Sequence, residues 1–511
     1  MRSTFTGIEI AKRSLFTHQA ALTTTGHNIA NSNTKGYTRQ VVNFSASRPL
    51  EAIGLMRSTI PGQNGQGVEF TSIERIREKF LDDQFLNENK SLGQWTIRSD
   101  TLEKLEKIVN EPSDTGIRQT IEGFWNAWQE LTKYPDSRTN RVLVKERTIA
   151  LTDSINHTAV QLKELRNDLT SNIEVRARQI DNILGNVAKL NNEIFRVEGL
   201  GNDANDLRDQ RDLLVDELSG YINVSVTETE QGYTLNMGST TLVDGNEKSV
   251  DVDRAFLESA FGGEMNSGEV YGMIFSRDQL VTSYMEDLNV MVRAMVQGEV
   301  EITLPAGTMI PDGVTLTDKD GTEYTGTLAA DTNVIVNGLN GLHQLGYTLN
   351  DTPGQPYFLM TAGAEAETLK MNPDIVENVF LIAASNRTFV DENGETKVVK
   401  GSNEIALLIA GLKNKKFEYQ EGQTGSIDDF FRSIIGELGV QGQEAHRQLM
   451  NQTALVEHVE SRRQSVSGVS LDEEMSNMIK YQHAYNAAAR AMTSCDEILD
   501  KVINGMGVVG R

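Results

Sequence analysis

The sequence predicts a multidomain α+β fold, and three observations carry the prediction. Apolar residues recur at alternating spacings of three and four near both ends of the chain. A near-heptad stripe runs from about residue 138 to 197. From Tyr221 onward the period changes to two, with Gly232 and Asp244-Gly245 as turns. These patterns place terminal helices forming a coiled-coil-like inner domain, a long helical bundle built from both chain halves, and nested β-rich outer structure. The expected domain boundaries are 1–36, 37–220, 221–403, 404–466 and 467–511. A chain of 511 residues with 38% hydrophobic content is long enough for several packed cores.

The first helix carries its seam on Ile8, Ala11, Leu15, His18, Leu22, Thr25 and Ile29, opened by a capping box of Thr6 with Glu9. It should stop near Ala30, because Asn31-Ser32-Asn33-Thr34-Lys35-Gly36 favours turns. Residues Tyr37 to Phe70 read as extended connectors or short strands. Gly62, Gly65 and Gly67 nearly spell a dinucleotide fingerprint, but without the strand before and the helix after that such a site needs. Glu69 to Val109 reads as helix, with Phe80, Leu81, Phe85, Leu102, Leu105 and Ile108 as core, closed by Pro112. Thr115 to Tyr134 is a second helix. Its Phe124, Trp125 and Trp128 have no basic companions, which favours a core role over ligand stacking. Arg138 to Val197 then forms one helix about 90 Å long at 1.5 Å per residue, striped by Leu162, Leu165, Leu169, Ile173, Ile180, Leu184, Val187, Leu190 and Ile194. Leu207 to Leu218 is a returning helix.

Alternation through Ile222, Val224, Val226, Tyr233, Leu235, Met237, Leu242 and Val243 predicts antiparallel strands. Asp278 to Gln297 returns to helix. Glu299 to Asn333 is an inserted, outward-facing β subdomain, after which Val334 to Leu345 resumes helix and Tyr357 to Lys400 continues in β style with a turn at Asn393-Gly394. Asp318-Lys319-Asp320-Gly321 is a turn, since a calcium loop would also need its terminal bidentate Glu. Helices return at Glu404. Phe431, Ile434, Leu438, Gly442, Ala445, Leu449, Gln452, Val456 and Val459 space as a heptad, and Ser465 to Ser470 forms a joint before the last helix. That helix begins at the capping box Ser470 and Glu473, carries the seam Met478, Tyr481, Tyr485, Ala488, Met492, Cys495, Leu499, Val502 and Met506, and ends at Gly505 and Gly507.

Neither terminal helix can be stable alone. Ordering costs on the order of 1–2 kcal/mol per residue, and a seam side chain returns only ~1.5–3 kcal/mol when fully buried. The expectation is therefore that residues 1–36 pair with 470–511 and that an assembly interface lies on Ile8, Ala11, Leu15, Leu22, Ile29, Met478, Tyr481, Tyr485, Ala488, Met492, Cys495, Leu499 and Val502.

A net charge of -24 argues against nucleic acid and against an anionic membrane as partners. No run of 18 apolar residues exists to span a bilayer, and the first thirty residues lack a cleavable signal arrangement. The single cysteine, Cys495, cannot form an internal disulfide and reads as a small buried apolar group. Seven scattered histidines give no metal-ligand spacing, and neither Gly-x-Ser-x-Gly nor a phosphate loop occurs. The reading is of a non-enzyme without cofactor or metal.

His27-Asn28-Ile29-Ala30-Asn31-Ser32-Asn33-Thr34-Lys35-Gly36-Tyr37-Thr38-Arg39-Gln40 resembles the N-terminal signature of bacterial flagellar rod, hook and hook-associated proteins. Ser467-Gly468-Val469-Ser470-Leu471-Asp472-Glu473-Glu474 resembles their C-terminal signature. The motif positions are Asn28, Asn31, Asn33, Thr34, Gly36, Tyr37, Gly468, Val469, Leu471 and Glu473. The continuation Tyr37-Thr38-Arg39-Gln40 and the internal Leu207-Arg208-Asp209-Gln210-Arg211-Asp212 are most similar to the hook-associated branch. The resemblance implies a structural adapter between hook and filament, secreted by the flagellar type III system with its N-terminus uncleaved. It further implies self-assembly into a ring or short tube, with the hook protein, hook-associated protein 3 on the filament side and an export chaperone as partners. The other readings are a hook or rod component, or an adhesive module carried by the β insertion.

Overall fold

A computed structural model describes residues 5–48, 65–110, 116–392, 394–420 and 423–505. Gly62, Pro112, Asn393, Met506 and Gly507 lie outside the described residues. The chain divides into two compact units, one made of Met1–Gln94, Glu174–Tyr271 and Leu449–Arg511, the other of Trp95–Ile173 and Gly272–Gln448.

In the first unit the N-terminal helix, Thr6–Ala30, packs antiparallel against the C-terminal helix, Leu471–Asp500. Their direction follows from three contacts: Gly7 against Cys495, His18 against Tyr481, and Asn28 against Glu474. Beside them lies the terminal hairpin, strands Gln40–Ala46 and Val68–Arg75, paired antiparallel with Phe44 opposite Phe70. The expected helix from Glu69 is thus a strand up to Arg75, and the helix proper is Lys79–Val109. Alternating Val68, Phe70 and Ser72 fit a strand, and the partner strand decides the matter. Helix Asn205–Tyr221 leads into a four-stranded meander, Ser225–Thr229, Gly232–Met237, Thr240–Asp244 and Glu247–Lys248, which buries Leu235, Met237, Leu242 and Val243.

The second unit is centred on helix Ile117–Lys133. Phe124 and Trp128 are wholly buried against Phe358 and Tyr357, as their lack of basic companions anticipates. Strands Glu299–Leu304 and Thr332–Asn337 pair with each other, and two short strands, Leu316–Thr317 and Glu323–Tyr324, complete a four-stranded sheet. The expected helix from Val334 instead begins at Gly338, because Val334 and Val336 are buried in strand register opposite Ile302 and Val300. Gly338 has φ +50°, and a Cβ there would meet the Val296 carbonyl carbon at 2.8 Å. The sheet therefore leaves helix Thr282–Gln297 and re-enters beside its own exit.

Residues Tyr357 to Lys400 correct the β reading further. Among the described residues of this stretch the strands are two short hairpins, Phe358–Leu359 with Lys370–Met371 and Thr388–Val390 with Thr396–Val398, with helix Glu365–Thr368 inside the first and helix Pro373–Glu377 between the two. Helices Arg254–Ala260 and Glu269–Phe275 and the hairpin Phe417–Gln420 with Gln423–Gly425 are too short to show a period in the sequence. At Asp318 the carboxylate accepts from the backbone N–H of Asp320 and Thr322, so the turn reading holds.

Helices Lys79–Val109, Arg138–Glu198 and Ile427–Ser467 each contribute to both units. The long helix has 61 residues and buries its stripe except Leu190, which is half-buried. Along Ile427–Ser467, Phe431, Leu438, Ala445 and Val459 are buried and the other heptad positions half-buried. Phe80, expected in the core, is 66% exposed, while Leu81, Leu86 and Val109 turn inward.

Candidate assembly site

The two seams face one another within this chain. Ala11, Thr25, Ala488 and Leu499 are buried, and Ile8, Leu15, His18, Leu22, Ile29, Met478, Tyr481, Tyr485, Met492 and Cys495 are half-buried. Val502 lies in the turn Lys501–Gly505 that ends the helix and is exposed. Within one molecule these positions give the terminal pair a shared, largely half-buried core, in line with the expected pairing of residues 1–36 with 470–511. Gly7 permits the closest approach, since a Cβ there would stand 2.8 Å from the Cys495 sulfur. His18 stacks on Tyr481 and also meets Phe44 of the hairpin.

A second face of the N-terminal helix, Thr17, Ala21, Thr24 and Asn28, is buried as well. The Thr17 hydroxyl donates to the Val68 carbonyl. The capping box differs between the two helices. Ser470 accepts from the Glu473 N–H as expected, whereas the N-terminal helix starts one residue early, with Phe5 at its cap and no side-chain bond there.

Asn28 is the centre of the site. Its amide nitrogen donates to the Gln40 carbonyl at 2.8 Å and to Glu474 Oε2 at 3.1 Å, and its oxygen accepts from the Tyr37 hydroxyl at 2.8 Å and the Gln40 N–H at 3.0 Å. A buried amide with every main bond made is both stabilising and specific. Arg39 then donates from Nε to Glu474 and from Nη1 to Glu473, each at 2.8 Å, and its N–H donates to the Ser467 carbonyl. Asn31 donates to the His27 carbonyl, and the Thr34 hydroxyl donates to Asn31, which shapes the turn. Gly36, at φ +81°, brings the chain against Leu213, where a Cβ would come within 3.1 Å. Asn33 is exposed, Val469 half-buried and Leu471 48% exposed. Gly468 ends helix Ile427–Ser467 by donating to the Gln464 carbonyl.

The internal motif joins the same cluster. Asp209 accepts from the Thr38 N–H at 2.9 Å and from Arg75 at 2.8 Å, and Asp212 accepts from Arg75 and Arg77. Burial drives the Asp212 carboxyl upward, but Arg77, Arg75 and Arg211 outweigh it and hold it below the usual range. At Asp209 burial wins over Arg75 and the Thr38 bonds, so its carboxyl sits above that range. Arg463 binds Asp216 at 2.7 Å and lies over the Phe85 ring, which ties helix Ile427–Ser467 to helices Asn205–Tyr221 and Lys79–Val109.

Motif spacing gives no sign of the contacts of Arg39, Glu474 and Asp209, and Arg75 escapes it because the stretch from Glu69, helical by spacing, folds as a strand to Arg75. The assembled site is a brace: three distant segments bolted by charge-assisted bonds. Among the described residues no group of three or more His, Cys, Asp or Glu side chains is placed to hold a metal ion. No helix among them is long and apolar enough to cross a membrane.

Comparison with known proteins gives this brace its context. Residues 102–358 match the model described as "Flagellar hook-associated protein FlgK helical domain", and residues 460–505 match "Flagellar basal body rod FlgEFG protein C-terminal". Flagellar hook-associated protein 1 of Bacillus subtilis (strain 168) is 32% identical over 530 residues, covering 100% of both chains. The chain belongs to the flagellar hook-associated protein 1 family. The family member of Salmonella typhimurium is 25% identical over 557 residues, covering 95% of this chain and 97% of its own. The solved flagellar hook junction protein FlgK from Burkholderia pseudomallei shares the fold, with a TM-score of 0.53 at 14% identity over 75% of this chain and 100% of that one. In this hook-associated protein 1 family member, the matched C-terminal region contains Glu473 and Glu474, the acidic half of the brace.

Proposed function

We propose that this chain is a structural adapter at the junction between flagellar hook and filament, acting outside the cell as one subunit of a ring or short tubular segment. Kinship along the full length supports the role. The observation that carries it is the brace, which holds two helices side by side and leaves their outer faces exposed along the whole pair. Its work is mechanical and needs no reacting group. Many shallow contacts, rather than one deep one, suit a joint between a bent hook and a stiff filament. The partners in this reading are the hook protein on one side, hook-associated protein 3 and the filament on the other, and a chaperone before type III export.

Removing the chain from a flagellated cell is expected to leave hooks without filaments, and the full chain should restore filaments. Filaments growing normally without it would overturn the reading, and loss of the hook itself would point to a hook or rod component instead. Excising the sheet between Gly298 and Gly338 should leave filament growth intact; an adhesive module would lose surface binding.

A further inference from the structure

In the second unit the polar edge of helix Thr282–Gln297 meets a group of carboxylates. Tyr284, itself buried, donates to Gln441 Oε1 of helix Ile427–Ser467 at 3.2 Å, and Gln441 in turn donates to Glu437 at 2.8 Å. One turn further on, Leu288 meets Phe431 and Ile434 around a shared cavity. The two helices therefore run antiparallel here, which sets Asp287 level with Glu437. Glu106 of helix Lys79–Val109 closes the group from a third side, its Oε1 lying 2.5 Å from where a Cβ on Gly442 would stand. Burial and then Glu437, Asp287 and Glu106 all push the pKa of the Tyr284 hydroxyl up. The apolar side of the contact is underfilled. A cavity of about 20 Å³ lies beside Tyr284 and Leu288, and atoms that face a void forfeit dispersion contacts.

The cations around Asp287 have partners elsewhere. The one on its own helix, Arg293, is bound to Glu365 at 2.9 Å, and Arg277, in the π turn Ser276–Val281 before it, to Asp278 at 2.7 Å. On the two helices that supply Glu437 and Glu106, Arg432 is bound to Asp428 at 2.7 Å, Lys104 to Asp100 at 2.7 Å and Lys107 to Glu103 at 2.6 Å. Helices Gly338–Gln344 and Glu365–Thr368 and strand Phe417–Gln420 also pack on this helix. They bring His343, Glu365, Glu367, Glu418 and Tyr419 but neither lysine nor arginine. Burial, then Glu437, then Glu286 raise the half-buried Asp287 carboxyl from its ordinary 3.8 to about 6.

We propose that the contact between helices Thr282–Gln297 and Ile427–Ser467 is an acid-closed clasp, in which one proton shared by Asp287 and Glu437 draws the two helices together. In neutral medium both carboxylates are charged and their repulsion weakens the contact. As the medium acidifies, Asp287 takes a proton from solvent and donates it to Glu437 in a charge-assisted O–H···O bond. A carboxyl whose pKa is raised by folding adds stability that is complete below 3.8 and is lost as pH rises through about 6. Gly298 joins the helix directly to strand Glu299–Leu304, so closure also steadies the root of the inserted sheet. The clasp works within one chain and is independent of the adapter role.

Hydrogen exchange on the purified full chain, corrected for the intrinsic pH dependence of amide exchange, provides the test. Protection of Thr282–Gln297 in the native chain should rise several-fold from pH 7.5 to pH 5. Asp287→Asn should keep the higher protection at both pH values, because its amide donates to Glu437 without titrating. Glu437→Gln should flatten the rise, since Asp287 then loses the charge that faces it. His343 titrates alike in all three chains and cancels from the comparison. A full native rise persisting in Asp287→Asn or in Glu437→Gln would overturn the clasp, and so would a native chain whose protection ignores pH. Lower protection in Asp287→Asn than in the native chain at both pH values would overturn it too, because the ionised carboxylate would then be what joins the helices.

Discussion

At the residue scale, the clearest consequence belongs to Asn28. Replacing it by Ala strands the Gln40 N–H and carbonyl and the Tyr37 hydroxyl in a buried setting. The expected loss is about 3 kcal/mol, from a few unsatisfied groups, and it should appear as faster amide exchange across Leu471 to Met478. Unchanged exchange there would mean that the amide is not the keystone. His343 makes a second case in the other unit. Its Nδ1 lies 2.6 Å from the Gln355 carbonyl, and its Nε2 accepts from the Ala383 N–H at 2.9 Å, so the buried ring is held neutral. Burial lowers its pKa to about 4 from the ordinary 6.5. Between those values the unfolded chain binds the extra proton, so this contribution is full above pH 6.5 and is lost as pH falls toward 4. It amounts to about 3 kcal/mol. Unfolding of His343→Gln followed from pH 7 to 4 should show a shallower slope than the native chain.

At the element scale, Tyr485→Pro breaks the C-terminal helix at mid-length and costs about 3 kcal/mol or more. Limited proteolysis should then cut both terminal helices while the unit holding Trp128 and His343 resists, and cleavage of that unit at the same rate would contradict a separable terminal pair. The legibility of the elements follows from their physics. Helices Ile427–Ser467 and Leu471–Asp500 repeat one pattern over many turns, so their buried faces could be read directly from spacing. Strand Val68–Arg75 could not, because its pairing with Gln40–Ala46 is non-local and Glu69 to Arg75 alone suits either period. The same holds for Val334–Asn337, claimed by its partner strand. In the site, spacing shows the two seams, but not the polar contacts of Asn28, Arg39 and Glu474, which join segments hundreds of residues apart and leave no periodic trace.

At the scale of the whole molecule, the brace makes each end depend on the other. A chain stopped after Gly468 keeps the N-terminal signature but loses Glu473 and Glu474, the acceptors for Arg39 and one acceptor for Asn28. Hydrogen exchange should then find Thr6–Ala30 released while the aromatic core around Phe124 and Trp128 remains protected. Protection of Thr6–Ala30 in that truncated chain would show that the hairpin alone suffices to hold it.

Asn28 and Glu474 are 446 positions apart. Closing so long a loop carries an entropic toll that grows only as about (3/2)RT ln n, yet the order of synthesis imposes a stricter rule. The lock cannot shut until Glu474 has been made, so a molecule interrupted anywhere before it is expected to keep its leading helix loose and open to proteases, which would set a half-finished chain apart from a finished one.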